Sequence, residues 1–156
     1  MGKEIDSIIK EMDLVLYGQP WFGRSLFSIL EDVHPADVFK KPNGEGHSLI
    51  ELVYHMVNWT EFTLLRIKGD KKEDKSEEFD WRQIDPMLHT WSKGLSDLES
   101  MHQQIIEILK KKDDSLLDQK VDYRDYDFRF LLHGLIQHDI YHLGQIAYLT
   151  KWLIPQ

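Results

Sequence analysis

The chain has 156 residues, 42% apolar and 29% charged, with 19 lysines and arginines against 27 aspartates and glutamates. That length suits one domain, expected over residues 1–156 around a single core, and a net charge of −8 argues against a surface built to coat nucleic acid or an anionic membrane. Zero cysteine removes disulfides, thiolate metal sites and a nucleophilic Cys together, and it fits a reducing, cytoplasmic setting.

The N-terminal stretch lacks the apolar core of a signal peptide, and no window approaches the roughly 18 apolar residues of a membrane span. Asp6 stands where a myristoylation signal after Gly2 needs Ser or Thr. Apolar residues then recur with helical spacing. Ile5, Ile8, Ile9, Met12, Val15 and Leu16 form one stripe, which Gly18-Gln19-Pro20 should kink or interrupt. The pattern predicts a restart from Trp21 to Val33, with Trp21/Phe22, Leu26, Ile29 and Leu30 on one side. Lys40 to Gly46 is a loop by its turn residues.

Ser48-Leu49-Ile50-Glu51 is a capping box, so a second long helix should start there and stop at Gly69. Asp70 to Phe79 is almost all charge and is expected as a solvated loop. Asp85-Pro86 has the form of an N-cap and first helical residue, followed by Leu88, Trp91, Leu95, Leu98, Ile105 and Leu109 on one stripe. That helix should fade at Lys110-Lys111-Lys112, cations suited to a helix C-terminus. Asp127 can cap a last long helix from Phe128 to about Thr150, the most apolar of the set. No segment alternates with period two. Four long amphipathic helices make the fold class all-α, with a four-helix bundle as the natural packing.

With no thiol to compete, imidazole is the strong transition-metal ligand this chain can offer, and it has eight histidines. Successive helical residues advance 100°, which sorts them by face. His138 and His142 are four apart and share a stripe with Leu131, Leu135, Gln145, Ile146 and Leu149. His133 lies nine positions before His142, about half a circuit away. His55 shares its face with Leu52, Trp59 and Phe62, and His102 falls between Leu98 and Ile105. His89 points elsewhere, and His34 and His47 belong to loops. Four imidazoles therefore aim at the core: His55, His102, His138 and His142. A single inward histidine needs only one hydrogen-bond partner and is ordinarily a packed residue. Two at i, i+4 repel if protonated and are favoured neutral by burial, the state that binds Zn, Ni, Fe or Cu.

The string Gln137-His138-Asp139-Ile140-Tyr141-His142-Leu143-Gly144-Gln145-Ile146, with His55 in Glu51-Leu52-Val53-Tyr54-His55-Met56, resembles the DinB-like superfamily. Trp21-Phe22-Gly23 and His47-Ser48-Leu49-Ile50-Glu51 are similar to it as well. The resemblance covers essentially the whole chain, and H-x-x-x-H-x-G-Q is its most specific part. It implies a four-helix bundle with three metal ligands, which by position are His55, His138 and His142; His102 is outside that pattern and is expected to be packed or to support a ligand. It also implies zinc or nickel as the divalent ion, and a homodimer, the common state in the family.

Three neutral imidazoles with an open position are the layout of a catalytic site. Gln145, three residues past His142, is a candidate contact for water or substrate there, or else caps a buried polar pocket. Asp139 and Glu51 are candidates to orient an imidazole N–H. Gly134 and Gly144 either permit close helix approach or are merely tolerated. Trp81, Tyr123 and Tyr126 suit a substrate mouth or a dimer seam.

The leading expectation is a metal-dependent enzyme acting on a small molecule through an activated water or thiol. The resemblance implies thiol S-transferases and isomerases that use a low-molecular-weight thiol; a hydrolase is the other enzymatic form. The alternative from another class is a metal-stabilised binding or stress-response module without turnover. The adjacent His138-Asp139 also matches an HD-type phosphohydrolase, but neighbours on a helix diverge by 100° and cannot face one ion from there. No basic stripe supports DNA binding.

Overall fold

The computed structural model describes residues 2–72, 74 and 76–153. Four long helices and one short one carry the chain: α1 (Lys3–Tyr17), α2 (Leu26–Leu30), α3 (Leu49–Ile67), α4 (Trp91–Leu109) and α5 (Phe128–Leu153). The fold is all-α, and no strand occurs among the described residues, where the only β pairing is an isolated bridge between Lys120 and Asp127. Four long helices packed side by side bury one stripe each, as the sequence periodicity requires. α3 lies between α4 and α5 and packs on both, while α1 closes the ring against α5 and α4. α4 and α5 therefore face each other across the diagonal.

Nearly every residue of α3 is buried, so α3 rather than α5 is the helix enclosed on most sides. Part of the apolar content of α5 faces outward instead, at Phe130, Tyr141 and Tyr148. The capping box forms as expected: the Glu51 backbone N–H donates to Ser48 Oγ, and the Ser48 N–H donates to Glu51 Oε2 at 2.8 Å. α3 ends at Ile67, and Gly69 follows with φ +75°, a left-handed turn that suits glycine. The Phe130 N–H donates to Asp127 Oδ1 at 2.9 Å, so Asp127 caps α5.

Two helix starts differ from the periodicity. The restart after Pro20 begins at Leu26, not Trp21. Residues 20–23 form a tight turn closed by the Gly23 N–H on the Pro20 carbonyl, with Gly23 at φ +147°, and Trp21 is 100% exposed. A glycine held in that conformation cannot continue a helix. The Asp85-Pro86 signal is also real but produces a single turn. The Leu88 and His89 N–H groups reach the Asp85 carbonyl, and His89 Nδ1 accepts from the Asp85 N–H at 2.8 Å. That ring folds back over the turn, and Thr90 then caps α4 by accepting from the Lys93 N–H. Leu88, left outside the helix, is 65% exposed.

Close helix approach occurs at Gly94, where a Cβ would meet the Tyr54 ring at 3.0 Å. Gly134 and Gly144 face open space, with nothing within 4 Å of a built Cβ.

Two aspartates tie distant parts together. Asp114, in the turn before α5, accepts from the Glu4 and Ile5 N–H groups at 3.3 and 2.9 Å, capping α1 from 110 residues away. Asp139 on α5 meets His102 on α4 across the diagonal: His102 Nε2–H donates to Asp139 Oδ2 at 2.8 Å, and Nδ1–H donates to the Leu98 carbonyl at 2.9 Å. His102 is 0% and Asp139 2% exposed. Burial alone lowers the His102 pKa, but the Asp139 charge and both hydrogen bonds outweigh it and raise it above the ordinary value.

The two aspartates should rank clearly in urea unfolding. Asp114→Ala removes a partly exposed cap and is expected to cost about 1 kcal/mol. Asp139→Ala strands a buried imidazole and is expected to cost about 3–5 kcal/mol. Equal costs would mean that the diagonal bond contributes no more than a cap.

Candidate metal centre

α3 and α5 pack along one another, and this sets His55 opposite the i, i+4 pair His138 and His142. The three ring nitrogens that could ligate an ion lie within 4.8 Å of one another. His138 Nε2 is 3.0 Å from His55 Nε2 and 3.1 Å from His142 Nε2. Two nitrogens bound to one tetrahedral zinc at 2.0–2.1 Å would stand about 3.3 Å apart, so the spacing is close to that of a ligand set.

The positions of the protons make the cluster unusual. His55 Nδ1 is 2.8 Å from the Asp80 carbonyl oxygen, which can only accept, so Nδ1 carries the hydrogen and Nε2 is bare. His142 Nδ1 lies 2.6 Å from Gln145 Oε1, which fixes the same tautomer. His138 then has one proton for two neighbours. On Nε2 it can serve one of the two bare nitrogens; on Nδ1 it serves neither, because that buried atom has no partner. In the first case at least one bare nitrogen lacks a full hydrogen bond, and in the second lone pairs face each other at about 3 Å. A cation at their meeting point would satisfy all three, and the donor set, neutral imidazoles with no fourth ligand among the described residues, fits a divalent transition metal.

The electrostatics keep the set neutral. Burial pushes His138 down to about 3, aided by His142 and His55. Burial also lowers His55 and His142, more than their hydrogen bonds to Asp80 and Gln145 restore. All three are therefore deprotonated at pH 7 and available to a metal.

The surrounding residues are partly those expected from the sequence. Gln145 contacts the cluster through the His142 ring. Glu51 is committed to the cap and to Lys41 Nζ at 3.2 Å, and Asp139 is committed to His102. The carboxylate beside the cluster is Asp80, whose Oδ1 lies 3.1 Å from His55 Nδ1 and accepts from Trp59 Nε1 at 2.6 Å. Asp80 follows the acidic loop, 25 residues from His55, and no periodicity marks it; the sole hint is an acid beside an aromatic, Trp81. The Trp81 ring lies flat between two imidazoles, 3.8 Å from His55 and 3.6 Å from His47, with interplanar angles of 4°. His47 is thus an exposed loop residue that closes one side of the site. Tyr123 lies apart, donating to the Lys71 carbonyl, whereas Tyr126 reaches the cavity beside His138.

The DinB superfamily profile matches residues 22–146. The chain belongs to the DinB superfamily. The match takes in α2, α3, α4 and α5 as far as Ile146, and with them His55, His138, His142 and Gln145. No curated protein matches the chain. No helix among the described residues is long and apolar enough to cross a membrane.

In this DinB-superfamily chain the depressed imidazoles make stability fall in acid. The unfolded histidine binds its proton near pH 6.5, while folded His138 does so only near 3, so the unfolded state takes up more protons as pH drops through that window. Metal-free wild type should lose about 1 kcal/mol from His138 between pH 6 and 5. His138→Phe should show a shallower loss by that amount in urea titrations at the two pH values. Equal slopes would show that His138 is not held neutral.

Proposed function

We propose that His55, His138 and His142 hold one divalent ion, zinc or nickel, and leave a coordination position for a small molecule. On this reading the protein is a metal-dependent enzyme acting through an activated thiol or water, with thiol S-transfer the favoured chemistry. The observation that carries it is the convergence of three Nε2 atoms whose lone pairs the protein's own protons cannot satisfy. When bound, such an ion is a Lewis acid that lowers the pKa of a thiol or water in its open position.

The chain's own residues prepare that position. The Asp80 carbonyl and Gln145 Oε1 hold the Nδ1 protons of His55 and His142, aiming both Nε2 atoms inward. Trp81 covers one face of His55 and excludes water from it. Gln145 is exposed and borders an open groove of about 560 Å³ with His47, Tyr141 and Tyr148, so a polar substrate portion can approach the cluster from that flank. The absence of cysteine from the chain means that a reacting thiol comes with the substrate or a cosubstrate. Membership of the DinB superfamily supports the metal reading, and the resemblance to thiol transferases supports the choice of thiol over water.

Protein purified without an affinity tag should carry about one equivalent of Zn or Ni by elemental analysis. His138→Ala and His142→Ala should each lose it at least tenfold, and chelation should lower the melting temperature of wild type alone by several degrees. Equally low metal in all three proteins would overturn the metal site. A metal-loaded protein with no turnover on a panel of thiol and ester substrates would overturn the enzymatic part and leave a metal-stabilised binding module.

A further inference from the structure

A second cavity touches the cluster further along the α3–α5 seam, toward the start of α5. It has a volume of about 170 Å³ and is walled by Trp59, Phe62, Tyr126, Phe130 and Leu135, with His138 in its lining. No charged side chain lines it. Its polar atoms are largely committed elsewhere: Thr63 Oγ donates to the Trp59 carbonyl at 2.9 Å, and Trp59 Nε1 donates to Asp80 at 2.6 Å. What remains toward the cavity is ring faces and aliphatic carbon, with the Tyr126 and Phe130 rings 5.0 Å apart forming its rim. An apolar cavity of roughly 150 Å³ holds one benzene molecule, so this one is sized for a single six-membered ring or an equivalent branched chain.

Gly134 belongs to the same wall, and a Cβ built there meets nothing within 4 Å. Glycine inside a helix costs about 1 kcal/mol relative to alanine, and here its lack of a side chain keeps the cavity open rather than letting helices pack.

We propose that this cavity is the specificity pocket of the metal centre and takes a neutral, benzene-sized apolar group attached to the atom that reaches the open position beside His138. The proposal rests on the metal reading for its chemistry, but the pocket itself is a property of the chain. The substrate or cosubstrate is thus a compound with one compact hydrophobic group, such as a benzyl or branched alkyl thiol, and not a wholly polar one. The pocket selects by burial, because every carbon placed there leaves water for a wall made mostly of ring faces and aliphatic carbon.

Two measurements test this separately from the metal. In the first, toluene is titrated into metal-free protein and followed by NMR. Saturable shifts around the pocket are expected in wild type, and their loss is expected in Gly134→Leu, which fills the space while improving helix propensity. Phe130→Ala, at a largely exposed position, should weaken binding severalfold by removing the rim. In the second, cobalt-loaded protein is titrated with benzyl mercaptan and with 2-mercaptoethanol, reading the thiolate-to-cobalt absorption. Benzyl mercaptan should bind at least tenfold tighter in wild type, and Gly134→Leu should bring the ratio close to one while cobalt loading stays intact. Equal affinity for the two thiols in cobalt-loaded wild type would overturn the proposal and leave the metal reading standing. Failure to bind cobalt would overturn the metal reading, and the toluene measurement would then decide the pocket alone: no saturable binding, or binding unchanged in both variants, overturns it.

Discussion

Asp139 and His102 meet at 2.8 Å across the diagonal of the bundle, between two helices that otherwise touch little. Asp139 sits between His138 and His142 in sequence and 100° around α5 from the former. Once it is anchored on α4, the rotation of α5 about its own axis is set, and His138 and His142 are turned toward α3 and His55. A one-residue slip would move all three side chains by 100° and disperse the cluster. Taking two ionisable groups out of water is costly and offsets much of what their attraction contributes to net stability. Here the orientation gained is that of the three imidazoles.

The same economy appears within the cluster. His55 and His142 are placed in one tautomer by acceptors that cost nothing extra, a backbone carbonyl and a side-chain amide one turn along the same helix. Neither partner is a carboxylate in sole charge of the ring, so the imidazoles stay weakly basic and neutral in spite of the chain's acidic surplus. His138 stands about 3 Å from both of the other imidazoles, and it is the member of the cluster whose far nitrogen has no partner and which lines the apolar cavity.

What the sequence made legible is what depends on local periodicity. The i, i+4 spacing put His138 and His142 on one face, and Ser48 with Glu51 marked the start of the helix that carries His55. Face assignment also turned His102 inward, although only the structure shows that its partner is Asp139. Contacts that cross between distant loops and helices leave no such trace. Asp114 caps α1 from 110 residues away and Asp80 holds His55 from an aperiodic loop; apart from Trp81 beside Asp80, nothing in their neighbourhoods distinguishes them from solvated acids. Trp21 and Asp85 show the opposite error, since each has a local helical signal that a backbone turn overrides: Gly23 in one case and the folded-back His89 ring in the other.

The three histidines are not anchored in the same way. His138 and His142 share one long helix, whereas His55 is braced by Asp80 and Trp81, which belong to the connection between α3 and α4. The geometry of the cluster therefore depends on a segment that carries none of its three rings. A change at Asp80 or Trp81 reaches the imidazoles without altering either helix that holds them.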